Sequence, residues 1–268
     1  MGFFSNKDDE QQDSIPSKNH GSIKAVVFDV FGTVVDLRGS LLSELNKLFQ
    51  SKGLKTIDCD EFAHQLITFY SQSMNGISEG KESFALVDDL NKIAVKKTLQ
   101  QYQLSHLFTD EEQERMGTIW QRLNPWPDSV AGIDQLKKQF TVGPLSNGNI
   151  HLLETLAKNA KLDWDVILSG EMFHCYKPNP LVYQKAAELL NLNPSEILLV
   201  AAHEYDLIAA AKCGYKTAFI NRSKDEESEK KNQHLEHQTF DYAVTRIDEL
   251  AAILSDEILT NKEKISIY

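Results

Sequence analysis

Asp29 stands at the end of a run of apolar and β-branched residues, 25–28, and is followed by Gly32 and Thr33. Such a run is typical of a fully buried strand, and buried parallel strands carry their functional groups at their carboxyl ends. A carboxylate in that place can act as a nucleophile, bind a metal ion or cap the next helix. Gly32 permits a tight turn, and Thr33 brings a hydroxyl group close to the carboxylate.

Other polar side chains follow later segments of the same kind, and they are Ser146, Asn147, Lys177, Tyr183, His203 and Asp206. Several have a purely structural explanation. Ser146 and Asn147 suit turns and helix N-termini, a Lys-Pro pair often precedes a helix, and Asp206 suits a first helical turn. In a doubly wound parallel sheet, however, groups beyond the strand ends converge on one crevice. An aspartate, a threonine, a serine, a lysine and a second aspartate at one edge predict a small catalytic pocket.

The elements that would position these groups can be predicted from hydrophobic spacing. Apolar residues recur at helical spacing from 40 to about 102, which predicts a helical insertion after the first strand. Beyond residue 128, strands and helices alternate, and this alternation predicts an α/β fold with a doubly wound parallel sheet. The predicted strands cover 140–145, 164–168, 196–201 and 216–220, and the predicted helices cover 150–160, 180–190, 205–213 and 247–254.

The composition limits the kinds of molecule that the protein is expected to bind and the compartment in which it is expected to function. The chain has 268 residues and a net charge of −11, which disfavours broad binding to nucleic acid or to anionic membranes. Its three cysteines, Cys59, Cys175 and Cys213, are widely spaced and indicate reduced thiols in a cytoplasmic protein. No apolar run approaches the length of a membrane span. We expect a small-molecule substrate, with a homodimer left open.

The sequence also predicts the organisation of the chain. The polar, acidic residues 1–21 are expected to form a disordered leader, and residues 257–268 a flexible tail. The α/β core is predicted to comprise 22–39 and 123–256, with the helical insertion at 40–122 between them. Residues 223–238 are charged, polar and aperiodic, which predicts a surface loop.

These motifs together resemble the haloacid dehalogenase superfamily, and in particular its type II branch, the L-2-haloacid dehalogenases. The resemblance covers about 23–255, and it is carried by 28–33, 124–128, 145–148, 176–178, 200–203 with Asp206, and 219–222. It implies a Rossmann-like core, with the helical insertion as a cap domain that closes over the pocket.

The resemblance further implies hydrolysis of a carbon–halide bond through a covalent ester on Asp29, without a metal ion or other cofactor. Lys177 would keep Asp29 ionised, and Thr33 and Ser146 would hold the substrate carboxylate or Asp29 itself. Asp206 would position or activate water for the second step. The residues expected around the substrate are Phe31, Asn147, Tyr183 and His203.

Two alternatives remain at this point. A magnesium-dependent phosphatase of the same superfamily would have a second acid where this chain has Phe31 and a metal-binding aspartate where it has Ala202. Both replacements disfavour phosphatase chemistry, because Mg²⁺ needs several oxygen ligands and a phenyl ring transfers no proton. A non-catalytic binding protein on the same fold is the second alternative, since fold does not fix function.

One feature departs from the dehalogenase pattern. The resemblance places Leu66 and Ile67 where the family usually carries a Trp-Arg pair whose arginine receives the departing halide. Arg38 and Arg122 are candidates to replace that cation, although each is also a plausible surface charge. His203 stands where well-studied members carry asparagine, and it could act as a hydrogen-bond donor, in proton transfer, or only locally at the strand end.

Overall fold

A computed structural model of the protein describes residues 23–222 and 240–266. Its strands are β1 Ala25–Phe28, β2 Val35–Asp36, β3 Asn124–Pro125, β4 Thr141–Ser146, β5 Leu168–Ser169, β6 Ile197–Ala201, β7 Lys216–Ile220 and β8 Tyr242–Val244. Six of them form one sheet in the order β5-β4-β1-β6-β7-β8, in which each neighbouring pair is parallel. β2 and β3 form a separate antiparallel pair. The predicted parallel α/β sheet is confirmed.

The α-helices are α1 Leu37–Ser51, α2 Cys59–Ser78, α3 Val87–Gln101, α4 Asp110–Gly117, α5 Ser129–Leu136, α6 Ile150–Ala160, α7 Gly170–Phe173, α8 Pro180–Leu190, α9 Glu204–Lys212 and α10 Ile247–Ser266. The first four lie between β2 and β3, which is where the helical insertion is predicted. Short 3₁₀ turns, among them Ile119–Arg122, complete that segment.

The centre of the sheet is buried on both faces because β1 and β6 are apolar at every position. Side chains alternate across a strand, so Val26 and Phe28 join one hydrophobic cluster, whereas Ala25 and Val27 join the other. The first cluster is continuous with the helical insertion, and the second packs under α8 and α9. This arrangement brings the carboxyl ends of β1, β4 and β6 to one edge of the sheet, beneath the insertion.

Some sequence predictions were wrong in detail. The strand predicted over 164–168 is limited to Leu168–Ser169, and Trp164 instead packs its ring 5.9 Å from that of Phe28. Residues 257–266, predicted as a loose tail, continue helix α10. The helix predicted over 205–213 begins and ends one residue earlier, and β8 had not been predicted.

Other predictions fall outside the described part of the chain. The leader predicted over 1–21 and the loop predicted over 223–238 both lie there. Within the described residues, no helix is long and apolar enough to span a membrane.

Candidate active site

Asp29 follows the last residue of β1, and both oxygens of its carboxylate have polar partners. Oδ1 lies 2.9 Å from the Nζ atom of Lys177. Oδ2 accepts a hydrogen bond from the Thr33 hydroxyl at 2.7 Å and lies 2.9 Å from the Nδ1 atom of His203. Residues from the ends of β1 and β6 and from the loop before α8 therefore meet on one carboxylate.

The turn after β1 explains how Thr33 reaches Asp29. Gly32 has a φ of 81°, in the left-handed region that favours glycine, and this reverses the chain so that the Thr33 side chain returns to the carboxylate. The Thr33 hydroxyl also accepts a hydrogen bond from the backbone N–H of Ala202 at 2.9 Å. The turn is thereby connected to the end of β6.

Lys177 is buried between two carboxylates, those of Asp29 and Asp206. Its backbone N–H donates to Oδ1 of Asn147 at 2.8 Å, which fixes the loop before α8 against the end of β4. Asp206 in turn accepts a hydrogen bond on Oδ1 from the Tyr183 hydroxyl at 2.5 Å. A continuous polar chain therefore runs from the cavity into the core.

The electrostatics keep Asp29 ionised. Burial alone would raise the pKa of Asp29, but the charges of Lys177 and His203 and the hydrogen bonds from His203 and Thr33 hold it well below its usual range. Burial opposes the charge on Lys177, yet Asp206 and Asp29 raise the pKa of that ammonium group. Burial raises the pKa of Asp206 more than Lys177 lowers it, and the charge of Asp29 adds to the rise. Asp29 is therefore the more acidic carboxyl group of the pair.

A cavity of about 390 Å³ opens above Asp29. Its floor is formed by residues at the strand ends, namely Asp29, Phe31, Asn147, Lys177, Pro178, His203 and Tyr205. Its opposite wall comes from the helical insertion, mainly from α2, and consists of Leu37, Ile67, Tyr70, Ser71, Met74, Asn75 and Ser78. The insertion thus covers the site, as a cap would.

The structure brings most of the predicted site residues together, and two are placed differently. Phe31 and Asn147 line the cavity as expected, but Tyr183 lies behind it, where it holds Asp206. Ser146 is fully buried, and its Oγ accepts a hydrogen bond from the Gly148 N–H at 3.2 Å. Ser146 therefore shapes the turn after β4.

The expected site of a halide-accepting cation is apolar. Ile67 lines the cavity, whereas Leu66 is fully buried in the core of the insertion. Arg38 donates to Asp60 at 2.5 Å, and Arg122 donates to Glu44 at 3.1 Å. The described residues that line the cavity include neither arginine.

Sequence reasoning missed the polar part of the cap wall. Ser71 lies four residues after Ile67, Asn75 lies four after Ser71, and Ser78 lies three after Asn75, so they share one face of α2. The 3.6-residue period could have identified this face once Ile67 was placed at the pocket. Tyr205, in the first turn of α9, was also missed.

The residues present suit a magnesium ion poorly. One Asp29 oxygen faces the Lys177 ammonium group, and the other is engaged by Thr33 and His203. Ala202 offers a backbone N–H where an oxygen ligand would be needed. Among the described residues, no group of three histidine, cysteine or acidic side chains is arranged to hold a metal ion.

Comparisons with known proteins agree with this architecture. A crystal structure of an L-2-haloacid dehalogenase is 35% identical, covers 88% of this chain and 100% of its own, and superposes with a TM-score of 0.81. The (S)-2-haloacid dehalogenase 4A of Burkholderia cepacia is 28% identical over 214 residues, which are 75% of this chain and 84% of that protein. A pyrophosphatase of Bacillus cereus is 26% identical over 242 residues, 87% of this chain and 97% of its own.

The family model of the haloacid dehalogenase-like hydrolases matches residues 23–214. That segment contains the whole cavity, the carboxylate pair and the lysine between them. The chain belongs to the haloacid dehalogenase-like hydrolase family.

Proposed function

We propose that the protein removes halide from small (S)-2-haloalkanoic acids through a covalent ester on Asp29. The observation that carries this proposal is the ionised Asp29 carboxylate at the floor of the cavity beneath the insertion, held by Lys177, Thr33 and His203. The similarity to L-2-haloacid dehalogenases of known structure supports the same substrate class.

The first step is a displacement at carbon 2 of the acid. A carboxylate oxygen of Asp29 forms a bond to that carbon while the carbon–halogen bond breaks, and the halide leaves with the bonding pair. Lys177 keeps the nucleophile deprotonated, and Thr33 fixes its orientation. Asp206 and Tyr183 hold the lysine in place from behind.

Phosphatase chemistry fits the cavity less well. Phe31 lines it at the position where a phosphatase needs its second acid, and Ala202 has no carboxylate for a metal ion. The sequence similarity to the Bacillus cereus pyrophosphatase extends along the chain, but phosphatase activity would depend on acidic side chains at these two positions. We therefore propose that activity needs no metal ion.

The decisive experiment compares halide release with phosphate release. Purified protein is incubated with (S)-2-chloropropionate, (S)-2-bromopropionate or p-nitrophenyl phosphate, each with and without EDTA. We expect chloride and bromide release, measured by ion chromatography, that EDTA leaves unchanged. Phosphate release that is lost with EDTA and restored by magnesium would contradict the proposal, and no activity on any substrate would favour a binding protein.

The remaining proposals concern the class of substrate, the cellular location and the oligomeric state. The substrate is a small molecule, and the free Cys59, Cys175 and Cys213 fit the reducing cytoplasm that we propose as its location. The homodimer stays a prediction.

A further inference from the structure

The cavity must stabilise the negative charge that develops on a departing halide, and the side chain of Ile67 has no group that could do so. This requirement rests on the proposed function, because it concerns the displacement step of that reaction. In an in-line displacement, the leaving atom moves away from the attacking oxygen. Asp29 lies at the floor of the cavity, so the halide moves toward the opposite wall, which comes mainly from α2. A donor for the halide is therefore expected on that helix.

Tyr70 lies on the face of α2 that lines the cavity. It follows Ile67 by three residues and precedes Met74 by four, so the three side chains share one face of the helix. The Tyr70 ring packs 6.0 Å from the ring of Trp120, which is fully buried. This contact restricts the positions that the Tyr70 ring can adopt.

The Tyr70 hydroxyl is available to a ligand. No described residue makes a hydrogen bond to it, and the described part of the chain does not bury its oxygen completely. Burial raises the pKa of this hydroxyl, and Tyr176 and Asp29 add to the rise. The group therefore keeps its proton at neutral pH and can donate a hydrogen bond.

The other polar groups of the cavity are less suited to this role. Asn75 and Ser78 are exposed, so water competes for them. Ser71 is half-buried, but a serine hydroxyl stays close to its own helix, whereas a tyrosine hydroxyl at the far end of its ring can reach further. Asn147 on the floor is engaged with the backbone of Lys177 through both ends of its amide.

We propose that Tyr70 is the hydrogen-bond donor to the departing halide. As the Asp29 oxygen bonds to carbon 2, the carbon–halogen bond breaks and the halide leaves with the bonding pair. The Tyr70 O–H donates a hydrogen bond to the halogen as its negative charge develops. Tyr70 keeps its proton throughout, and the halide leaves as an anion. This neutral donor takes over part of the task of the cation that is absent at Ile67.

The test compares Tyr70→Phe, which keeps the ring against Trp120, with wild type. The substrates are (S)-2-chloro-, (S)-2-bromo- and (S)-2-iodopropionate, and the enzyme is in excess, so that halide release in the first turnover is measured. A hydrogen bond to a charged group typically changes a rate by about 10–10²-fold. Because chloride accepts hydrogen bonds more strongly than the larger halides, we expect about that loss with the chloro acid, less with the bromo acid and least with the iodo acid.

The dependence on substrate concentration gives a second measurement. A donor that acts on the developing charge stabilises the transition state more than the bound substrate. The substrate concentration at half-maximal rate should therefore change little in Tyr70→Phe.

The matched control is Tyr102→Phe. Tyr102 directly follows α3 in the same insertion, and its ring packs 5.1 Å from that of Phe62. It is not among the described residues that line the cavity. This variant should release all three halides at wild-type rates.

The outcomes separate this proposal from the proposed function. Unchanged first-turnover rates in Tyr70→Phe, or an equal loss with all three acids, would overturn the proposal, because neither depends on the leaving group. A graded loss in Ser71→Ala, with Tyr70→Phe unchanged, would assign the donor to Ser71 and also overturn it. In each of these cases the wild-type protein still releases halide, and the proposed function stands. If the wild-type protein releases no halide, the proposed function fails, and this proposal with it.

Discussion

At the scale of single residues, the site depends on how one carboxylate is shared among three partners. The Lys177 ammonium group holds one oxygen of Asp29, and Thr33 and His203 engage the other. Each contact favours the ionised form, so together they outweigh the cost of burial. The Asp29 carboxyl group should therefore stay ionised at any pH at which the protein is folded and Lys177 is protonated.

We expect Asp29→Asn to abolish turnover, because an amide is a poor nucleophile in this displacement. In wild type, a single turnover in heavy-oxygen water should place the label in the Asp29 carboxyl group, and the first 2-hydroxy acid formed should be unlabelled. Mass spectrometry of the protein and of the product would measure both.

The matched control for this prediction is Asp163→Asn. Asp163 is 78% exposed and pairs with Lys137 at the surface, so this variant should keep wild-type turnover. Heavy oxygen that appears directly in the product of the first turnover would mean that water attacks carbon 2, with Asp29 acting only as a base.

At the scale of elements, α2 determines what the cavity offers to the substrate. Ile67 and Met74 supply apolar surface, while Ser71, Asn75 and Ser78 on the same face supply hydrogen-bonding groups. A departing halide needs a cation or a donor, since an apolar wall stabilises developing negative charge poorly. Among the described residues that line the cavity, the α2 face offers neutral donors but no cation. Because a charged donor makes the stronger hydrogen bond to an anion, we expect only weak activity on 2-chloro acids.

We expect Ile67→Arg to raise turnover of (S)-2-chloropropionate, by up to the factor of about 10²–10³ that one electrostatic donor typically contributes. Ile67 is half-buried at the cavity wall, so the guanidinium group can extend into the space above Asp29. Chloride release under steady-state conditions is the measurement.

Ile93→Arg provides the matched control, because Ile93 is 43% exposed on α3 and the same substitution there lies outside the cavity lining. It should leave chloride release unchanged. A folded Ile67→Arg protein without any gain would show either that the charge is unable to reach the leaving group or that halide is not the leaving group.

At the scale of the whole molecule, the insertion is fastened to the core beside the cavity. Asn149 at the start of α6 exchanges two hydrogen bonds with Asp88 at the start of α3, of 3.0 and 3.1 Å. The Tyr176 hydroxyl, adjacent in sequence to Lys177, donates to the backbone carbonyl of Ala85. These contacts join the insertion to the core next to Lys177.

A second connection joins distant parts of the core. Arg222 after β7 makes two hydrogen bonds to Asp128, of 2.8 and 3.0 Å, and a third at 3.0 Å to the carbonyl of Thr33. Asp128 also accepts the N–H of Ile247 at the start of α10. Both ends of the ion pair are buried. This pair fixes the turn after β1, and through it the hydroxyl that contacts Asp29.

We expect Asp128→Asn to lower the free energy of unfolding by about 3–5 kcal/mol, as is typical when one partner of a buried pair is removed. Burial opposes ionisation, but hydrogen bonds from Arg222 and Ile247 hold the pKa of Asp128 below its usual range. A lowered pKa stabilises the folded state above the unfolded value of about 3.9, and this contribution is lost as pH falls through the folded value.

The unfolding free energy of Asp128→Asn should therefore decrease less than that of wild type as the pH falls below about 4. Urea unfolding at several pH values, with Asp163→Asn as the surface control, measures this difference. An Asp128→Asn protein with the same unfolding free energy and the same acid dependence as wild type would contradict a stabilising role for the pair.

The sequence by itself determined the parallel sheet and which strand-end residues would meet. Strands such as Ala25–Phe28 and Ile197–Ala201 are apolar throughout, and connections between parallel strands place their carboxyl ends on one edge. Local patterns were therefore sufficient to predict that Asp29, Lys177 and Asp206 converge. The boundaries of α6 and α8 were likewise predicted correctly, because helical periodicity and caps are local signals.

Only the tertiary structure decided which of those side chains contact one another and which of them line the cavity. Lys177 contacts both Asp206 and Asp29, and His203 contacts the other oxygen of Asp29. These contacts depend on packing between segments 29 to 174 positions apart. The same holds for the α2 face over the site, the short strand β5 and the extension of α10 to Ser266. Each depends on which surfaces of the folded core remain to be covered. No periodicity within one segment contains that information, because it arises from contacts between distant segments.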